Sequence, residues 1–469
     1  MGQARTIHFV SLGCAKNRVD TEVMLGVSDA TGFRHVEDPT EAEVIVVNTC
    51  GFIGPAKEES VDTILEMAQL KESGVLEQLV VAGCLSQRYP GELAESMPEV
   101  DVFLGSSDML KLGPILEKKR TERMQVGNPA EYTMRATDPR VLTQRGHSAY
   151  LKIAEGCNRS CSFCTIPSFR GKQRSRSIAD LVRETEQLVA RGVVEVCLIS
   201  QDTIAYGRDL EERPTLAQLA SALAEVDGLR WVRLHYLYPE SLTKELVDVL
   251  AHHPKVLPYI DMPLQHAATN MLRRMKRGHG GKRLYELVDK LRKNVPDLVF
   301  RSSFIVGHPG ETEEEFQELL DFVTWAEFDH LGVFLYSPEE NTPSGTMSGE
   351  VPEKVAKARH RKLMRAQRPI SRAKLKARIG TEIEVLVDGV SDEHEFLLEG
   401  RWWGQAPEVD GKIYLANGDA APGEIRKALV TAAADYDLVA DLLTPEGEWL
   451  APPGTRRPRK RKVQLRTLA

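Results

Sequence analysis

Apolar residues recur along the chain in short runs that alternate with stretches of helical periodicity. In the first part the runs are IHFVSL, EVIVVNT and EQLVVAG, and the stretches between them are VDTEVMLGVSDATG and GPAKEESVDTILEMAQLKESG. Apolar runs of strand length that alternate with helices are typical of βαβ units. The pattern predicts an N-terminal parallel α/β sheet domain over residues 1–128. The periodicity weakens before residue 149, so we assign residues 129–148 to a linker.

A second and longer series of runs begins at residue 149. Its six runs are AYLKIAE, VEVCLIS, WVRLHYL, LPYIDMP, LVFRSSFIVG and HLGVFLY, with helical stretches between them. One of these stretches opens with Ser177 and Asp180, which is similar to a capping box. Six consecutive βα units predict a TIM-like, partial or full β/α barrel over residues 149–372. In such a barrel the chemistry lies at the carboxyl ends of the strands.

The pattern changes again near residue 352. Residues 352–378 contain eleven Lys and Arg but one acidic residue, and they predict a basic helix. The runs EIEVLV, HEFLLEGRWW, KIYLA and ALVTAAADYDLVADLL follow, broken by Gly, Asp and Pro, and they predict a small antiparallel β-barrel over residues 373–442. Residues 443–469 include RRPRKRKVQLR and form a basic tail. The fold class is therefore α/β with a C-terminal β-barrel.

Composition adds two limits to this picture. With 469 residues, 42% hydrophobic and 28% charged, the chain is an ordinary multidomain globular protein, and its net charge of −7 identifies no partner. No run approaches the roughly 20 apolar residues of a membrane span. The start, MGQARTIHFVSLG, lacks the layout of a signal peptide. We therefore expect a cytoplasmic protein with no membrane partner.

Three of the seven cysteines lie in the stretch EGCNRSCSFC, at Cys157, Cys161 and Cys164. A reducing compartment disfavours disulfides, so close spacing indicates a metal site. A closed structural zinc site wants four ligands, and no second cysteine pair follows nearby. Thiolates are the usual ligands of iron–sulfur clusters, and a [4Fe-4S] cube held by three cysteines leaves one iron open. The loop follows the first barrel strand, where a catalytic site is expected.

This spacing, C-x₃-C-x₂-C with the aromatic Phe163 before the last cysteine, resembles the signature of the radical SAM superfamily. The resemblance implies that S-adenosylmethionine chelates the open iron through its amino and carboxylate groups. It also implies that the reduced cluster cleaves this molecule to a 5′-deoxyadenosyl radical. Such chemistry belongs to the cofactor, and the protein orients it.

Three further cysteines, Cys14, Cys50 and Cys84, each follow one of the three N-terminal runs. Because the carboxyl ends of parallel strands share one edge of a sheet, these cysteines are expected to meet there. A glycine stands next to each, which permits close approach of the backbone. The sequence therefore predicts a second three-cysteine cluster site. Cys197, inside the apolar run VEVCLIS, is predicted to be a core residue.

The phrases SLGCAKNRVD, VVNTCGF and VVAGCL resemble the N-terminal domain of methylthiotransferases, and ISQDTIAYG and FIVGHPGETEEEF resemble their radical SAM domain. The resemblance covers roughly residues 5–442 and includes a TRAM-like C-terminal barrel. It implies two [4Fe-4S] clusters, one of which carries or delivers sulfur, and a second S-adenosylmethionine as the methyl donor. The product is a C–S–CH₃ group, and an electron donor of flavodoxin or ferredoxin type is expected.

Other polar residues fall at predicted strand ends. Ser200 and Gln201, which end the second barrel strand, and Arg301 are candidates for binding S-adenosylmethionine. In the phrase DMPLQHA, Asp261, Gln265 and His266 are expected at the same rim, and a contact with substrate or cofactor is favoured for His266. Residues 307–316 are mostly structural, with Thr312 and Glu315 forming a capping box. No catalytic acid or base is assigned.

The substrate is either tRNA or protein, because methylthiotransferases modify a tRNA adenosine or the β-carbon of an aspartate in small-subunit ribosomal protein S-twelve. The barrel region, residues 381–442, has 14 acidic residues and 4 Lys or Arg. Such a surface repels phosphates and suits a basic ribosomal protein. EGCNRSCSFCTIPSFRG and DMPLQHA also resemble the ribosomal-protein branch, so aspartate methylthiolation is the favoured reading and the tRNA reaction the alternative.

Two features of the C-terminal region bear on its partners. Trp402 and Trp403 are either exposed anchors for a protein partner or part of the barrel core. The basic helix and tail provide a possible contact with ribosomal RNA around the protein target. The expected partner is therefore ribosomal protein S-twelve, alone or in the small subunit.

Overall fold

The computed structural model describes residues 4–119, 122–143, 146–278, 280–393, 395, 397–450 and 457–458. Over these residues the chain forms two six-stranded parallel sheets and a closed five-stranded barrel, in the order that the sequence predicts. Of the predicted basic tail, residues 451–456 and 459–469 lie outside the described residues. None of the described helices has the length and apolar character needed to cross a membrane.

The N-terminal domain is one parallel sheet with helices packed on it. In chain order its elements are β1 (Thr6–Ser11), α1 (Ala15–Ala30), β2 (Arg34–His35), β3 (Val44–Thr49), α2 (Gly54–Gln69), β4 (Gln78–Gly83), α3 (Cys84–Arg88), α4 (Pro90–Ser96), β5 (Val102–Leu104), α5 (Leu112–Leu116) and β6 (Met124–Gln125). The strand order is β2-β1-β3-β4-β5-β6. The three predicted runs are β1, β3 and β4. The strands β2, β5 and β6 were not predicted, because two or three residues are too few to show a period.

The central domain contains the six predicted βα units. Its elements are β7 (Ser148–Lys152), β8 (Ala154–Glu155), α6 (Ile166–Arg170), β9 (Arg174–Ser175), α7 (Ile178–Ala190), β10 (Glu195–Ile199), α8 (Leu216–Ala224), β11 (Trp231–Leu234), α9 (Lys244–His252), β12 (Val256–Gln265), α10 (Thr269–Arg274), α11 (Gly281–Asn294), β13 (Val299–Val306), α12 (Glu313–Ala326), β14 (His330–Leu335) and α13 (Glu353–Lys376). The main sheet is parallel in the order β14-β13-β12-β11-β10-β7. Because β7 and β14 are edge strands, the barrel is partial and not closed.

Local signals place two helix starts as the sequence predicts. The Ser177 side chain accepts a hydrogen bond from the backbone N–H of Asp180 at the start of α7. At the start of α12, Thr312 and Glu315 form a complete capping box, in which each side chain accepts from the other residue's backbone N–H. Caps of this kind satisfy the free N–H groups of a first helical turn.

The C-terminal barrel is closed. Its strands are β15 (Glu382–Val390), β16 (Leu398–Trp402), β17 (Ile413–Ala416), β18 (Ile425–Ala433) and β19 (Leu438–Leu442). Four of the five pairings are antiparallel as predicted, but β17 pairs with β19 in parallel. The parallel pairing closes the barrel, because β18 lies between these strands in sequence but beside β15 in space. A hydrophobicity pattern contains no information on such a pairing.

The two outer domains pack against the central sheet. The barrel shares a hydrophobic cluster with Trp231, Leu257 and Val299, which lie at or near the amino ends of β11, β12 and β13. The N-terminal domain lies at the carboxyl-end rim, where Asp20 of α1 forms an ion pair with the buried Lys152 of β7. The chemistry-bearing end of the central sheet is therefore covered by the domain that carries the N-terminal cysteines.

Candidate active site

All six predicted ligand cysteines line one cavity of about 430 Å³ between the N-terminal and central domains. Cys14, Cys50 and Cys84 come from one side, and Cys157, Cys161 and Cys164 from the other. The two sets are separated by more than 70 residues in sequence, so only the docking of the two domains brings them together. The cavity lies at the carboxyl ends of both parallel sheets, as expected for α/β sites.

Strand pairing positions the N-terminal cysteines. Because β1 pairs with β3 and β3 with β4, the residues after these strands are neighbours. Cys14 is the N-cap residue of α1, and Cys84 is the first residue of α3. Together with Cys50 they form the N-terminal triad.

The neighbouring glycines allow these turns to approach one another. A Cβ on Gly13 would lie 2.8 Å from the Cβ of Cys50, and a Cβ on Gly51 would lie 2.9 Å from backbone atoms of Cys84. Gly83 has a φ of +99°, and its Cβ would lie 2.3 Å from Asn48 Oδ1. Any side chain at these positions would push the three thiols apart.

The second set lies on a loop directly after β7 and β8. The short antiparallel pairing of β8 with β9 closes the base of this loop, and the Cys157 N–H donates to the Gly171 carbonyl over 3.1 Å. The Ser162 N–H donates to the Met275 carbonyl, also over 3.1 Å, which ties the loop to the central domain. Phe163 packs in a small apolar cluster there. We call Cys157, Cys161 and Cys164 the loop triad.

The buried Arg170, which follows the loop triad in sequence, contacts the N-terminal triad. Its guanidinium donates to Cys84 Sγ over 3.1 Å and to Asn17 Oδ1 over 2.7 Å. The same group forms ion pairs with Asp20 at 2.9 Å and Glu155 at 3.5 Å. Arg170 therefore holds a central-domain element against the N-terminal triad and places positive charge beside one of its thiols.

The chemistry of the thiols fits iron–sulfur clusters. Burial raises the pKa of the Cys84 and Cys164 thiols to about 12 and that of Cys157 to about 11, so metal binding has to displace their protons. Among the described residues no three His, Cys, Asp or Glu side chains converge on a single metal ion. Thiols that are spread around a cavity wall suit a cube of several irons, in which each cysteine binds a different iron.

The remaining predicted site residues are not all at the cavity. Gln201 lines it, and its amide donates to Glu155 over 3.4 Å. Ser200 is fully buried and hydrogen-bonds with Thr203, outside the residues that line the cavity. Arg301 forms ion pairs with Asp261 and, across the domain interface, with Asp410. The roles of Ser200 and Arg301 in binding S-adenosylmethionine stay predictions. Their contacts in the structure do not favour a direct contact with that molecule.

The three polar residues predicted at the rim, in β12 and the turn after it, also differ in whether they line the cavity. Gln265 lines the cavity. His266 is fully buried and bonds to Glu311 and to the Ala268 N–H, so the contact with a ligand that was favoured for His266 is not supported. Asp261 is buried between His235 and Arg301. The register of β12 shifts between Met262 and Gln265, and Gln265 has a φ of +71°, so the pattern of a regular strand does not predict where these side chains lie.

Several cavity residues were not predicted from the sequence. The ring of Tyr238 lies between two guanidinium groups, 3.7 Å from that of Arg159 and 3.9 Å from that of Arg277. Lys16 lies over the ring of Tyr236. Proximity to the cysteines in GCAKN and CNRSC is a signal that marks Lys16 and Arg159, but Arg277 is more than 100 residues away and has none.

Two buried oxygen atoms belong to residues that line the cavity and accept no hydrogen bond from the described residues. Among the described residues, neither Gln201 Oε1 nor Asp202 Oδ1 finds a hydrogen-bond partner. Both residues line the cavity. A buried acceptor without a partner is costly, so these atoms are suited to N–H or O–H groups of a ligand.

Cys197 lies apart from this site. It is fully buried on β10 in an apolar cluster, as predicted for a core residue.

Models of known families match three parts of the chain. They are described as "Radical SAM superfamily", which matches residues 151–323, "Uncharacterized protein family UPF0004", which matches residues 6–105, and "TRAM domain", which matches residues 379–443. Together with the six-cysteine cavity, they define the class of the protein as a radical SAM enzyme.

Relatives identify the family within this class. A ribosomal protein uS12 methylthiotransferase RimO of Sorangium cellulosum is 63% identical over 449 residues, which cover 94% of this chain and 92% of that protein. A RimO of Myxococcus xanthus is 50% identical, with 93% and 91% of the two chains covered. The chain belongs to the family of RimO ribosomal protein uS12 methylthiotransferases. The cofactors of this family are S-adenosylmethionine and two [4Fe-4S] clusters.

Solved structures share the fold. The radical S-adenosylmethionine methyltransferase TsrM from Kitasatospora setae, with cobalamin and a [4Fe-4S] cluster bound, has a TM-score of 0.53 at 17% identity over 73% of this chain and 77% of that chain. The cobalamin-dependent radical enzyme OxsB has a TM-score of 0.50 at 13% identity over 73% and 55% of the two chains. These likenesses concern the arrangement of the chain alone.

Proposed function

We propose that this protein adds a methylthio group to the β-carbon of an aspartate in ribosomal protein uS12, the S-twelve protein of the small subunit. The observation that carries the proposal is the single cavity lined by two cysteine triads, in a chain whose relatives of this name match it over nearly its full length. The tRNA-adenosine reaction is not favoured by any of the relatives described above.

In this proposal the N-terminal triad and the loop triad each hold one [4Fe-4S] cluster. When bound, the clusters and S-adenosylmethionine supply the one-electron chemistry that removes a hydrogen atom from carbon, together with the sulfur and methyl groups that replace it. The residues of the chain do the rest: they fix both triads on one cavity, and Arg170 neutralises charge next to Cys84. Docking of the N-terminal domain over the rim excludes water from the reacting groups.

Gln201 and Asp202 are proposed to position S-adenosylmethionine. Their unpartnered buried oxygen atoms line the cavity and can accept hydrogen bonds from an amino group or from hydroxyl groups. Ser200 is proposed to act by holding the turn that carries Gln201, through its bond to Thr203. Arg301 is proposed to hold Asp261 in place below the cavity.

The surface around the cavity suits a macromolecular substrate. Phe334 lines the cavity and is 53% exposed, and the adjacent Leu335 is exposed as well, so an apolar edge borders the opening. The barrel presents exposed acidic residues to a basic protein partner, among them Glu382, Glu384 and Glu395.

Two further partners are part of the proposal. A reductant of flavodoxin or ferredoxin type supplies the electron. The basic helix α13 and the tail contact ribosomal RNA next to uS12. In α13, Lys354, Arg361 and Arg365 are exposed, whereas Arg359 is buried against Glu311 and serves packing.

The test is a product assay on two substrates. The anaerobically reconstituted enzyme, with S-adenosylmethionine and a chemical reductant, is incubated with purified uS12 and, separately, with tRNA. Mass spectrometry is expected to find the mass of a methylthio group on a uS12 aspartate and none on tRNA. Modification of tRNA adenosine with unmodified uS12 would contradict the proposal.

A further inference from the structure

Lys16 occupies an unusual place for a lysine. It lies in the first turn of α1, two residues after Cys14, and only 8% of its surface is exposed. Its ammonium group lines the six-cysteine cavity and lies 3.3 Å from the centre of the Tyr236 ring. A buried ammonium group is costly unless an anion compensates it, and the positive end of the helix dipole adds to this cost.

The other cations of the cavity have polar partners, whereas Lys16 does not. Arg159 pairs with Asp202 at 2.6 Å, Arg170 with Asp20 at 2.9 Å, and Arg277 donates to the Pro263 carbonyl over 2.7 Å. Within the described part of the chain, Lys16 has neither a hydrogen bond nor an ion pair within 4.0 Å, and its ammonium group contacts the Tyr236 ring. The site therefore contains one buried positive charge that is ready for an anionic ligand.

The position of Lys16 suits the carboxylate of the substrate better than that of S-adenosylmethionine. Lys16 is in the first turn of the helix whose N-cap residue is Cys14, so it belongs to the side of the N-terminal triad. In an aspartate side chain, the carbon that gains sulfur is bonded directly to the carboxylate carbon. A carboxylate held beside Cys14 therefore keeps this carbon near the N-terminal triad.

We propose that Lys16 receives the side-chain carboxylate of the uS12 aspartate, and that it is a residue that selects an aspartate over a neutral side chain. The inference rests on the proposed function and adds to it a determinant of specificity. The Tyr236 ring holds the ammonium group in place before the substrate arrives, through a cation–π contact. On binding, the carboxylate gives the ammonium group an anionic partner in a site of low dielectric.

The experiment is a double-mutant cycle of binding, in which two forms of the enzyme are combined with two forms of uS12. The reconstituted full-length enzyme and its Lys16→Met variant are each titrated with uS12 and with uS12 whose target aspartate is changed to asparagine. The wild type is expected to bind the aspartate form about tenfold or more tightly than the asparagine form, as for a buried charge-assisted hydrogen bond. In Lys16→Met the two forms are expected to bind within about twofold of each other.

Controls separate binding from cluster assembly. The Lys282→Met variant removes a lysine that is 91% exposed on α11, and it is expected to keep the wild-type discrimination. Iron content and the cleavage of S-adenosylmethionine without uS12 are measured for every variant, so that loss of a cluster or of cofactor binding is distinguished from loss of discrimination. Lys16→Gln repeats the test with a polar side chain in case the methionine variant does not fold.

The possible outcomes distinguish a wrong assignment of Lys16 from a wrong proposed function. If the wild type modifies uS12 but the Lys16 variants still discriminate aspartate from asparagine, the proposed function stands and the assignment of Lys16 is wrong. If these variants lose cleavage of S-adenosylmethionine without uS12 and keep the discrimination, Lys16 serves the carboxylate of S-adenosylmethionine instead. If the wild type neither binds nor modifies uS12, the proposed function fails, and this inference fails with it.

Discussion

Cys197 is similar to the six cavity cysteines in chemistry and different in surroundings, because it is fully buried among apolar side chains of β10. Burial raises the pKa of its thiol well above the ordinary value. We predict that Cys197→Ser lowers the free energy of unfolding by about 1–3 kcal/mol, since a hydroxyl is more costly than a thiol to bury in an apolar cluster. Iron content is expected to stay at the wild-type level, and loss of iron from a folded variant would contradict the core assignment.

Replacing the loop triad, in contrast to Cys197, is expected to change the iron content. Two clusters correspond to about eight irons per chain, so changing Cys157, Cys161 and Cys164 together to Ala is expected to leave about four. The N-terminal triad is on another domain and keeps its geometry, because β1, β3 and β4 position it. Cleavage of S-adenosylmethionine is expected to disappear. Iron analysis of the reconstituted protein is the measurement, and about four irons in the wild type would rule out the second cluster.

At the scale of elements, one buried ion network joins β10, β11 and β16. Glu195 forms ion pairs with Arg233 and Arg401, each at 2.8–2.9 Å, and Arg401 also pairs with Asp388. Glu195 and Arg233 are fully buried. This network fixes the C-terminal barrel to the central sheet, because β16 belongs to the barrel and β10 to the sheet.

We predict that Glu195→Gln lowers the free energy of unfolding by about 3–5 kcal/mol at neutral pH, since the buried Arg233 loses its carboxylate partner and Arg401 loses one of its two. Burial alone would raise the pKa of Glu195, but Arg401 and Arg233 outweigh it and lower the pKa from 4.5 to about 2. The contribution of this carboxylate is therefore present above pH 4.5 and is lost as the pH falls towards 2.

Urea unfolding at neutral pH and at about pH 3.5 measures both effects. The destabilisation caused by Glu195→Gln is expected to be smaller at the lower pH, where the wild type has lost part of the contribution. The variant Glu186→Gln changes an exposed glutamate of α7 and is the control. An equal destabilisation at both pH values would show that the ion pairs of Glu195 do not account for the loss.

At the scale of the whole molecule, the acidic barrel is less open to partners than its composition indicates. Asp388 pairs with Arg401, Asp410 with Arg301, and Asp435 with Arg372. Trp402 is buried in the hydrophobic cluster that joins the barrel to the central sheet, so of the two alternatives the barrel core is confirmed for it, and Trp403 is half-buried against it. Deleting the barrel would expose this cluster and leave Glu195 without Arg401, so point substitutions test docking better.

We predict that four exposed barrel acids contribute to binding of uS12. Their replacement with Gln is expected to weaken binding several-fold at low salt and less at high salt. At high salt, screening already reduces the attraction between the wild-type barrel and uS12, so less attraction remains to be lost. The measurement is the dissociation constant for uS12 across a salt series. The changed residues are Glu382, Glu384, Glu393 and Glu395.

A matched variant separates local attraction from net charge. It replaces four exposed acids of the central domain with Gln, and its binding of uS12 is expected to change little. If the barrel variant binds uS12 as tightly as the wild type but binds tRNA more tightly, the charge argument for a protein substrate is wrong. The control residues are Glu186, Glu211, Glu212 and Glu225.

The sequence by itself predicted the main secondary-structure elements and the two cysteine triads. The long apolar runs became β1, β3, β4 and the six strands of the central sheet, because hydrophobic periodicity and helix caps are local properties of the chain. The two cysteine triads were also visible, since one has a diagnostic spacing and the other repeats one position relative to its strands. Very short strands escaped prediction because they carry no period.

Only the tertiary structure decided what depends on contacts between distant segments. It brought both triads to one cavity, left Lys16 there without an ion pair to any described residue, and placed His266 and Ser200 outside the cavity lining. It also paired many barrel acids with arginines and buried Trp402. The surroundings of a side chain are set by elements far away in sequence, and composition or spacing contains no record of which charges those elements bring.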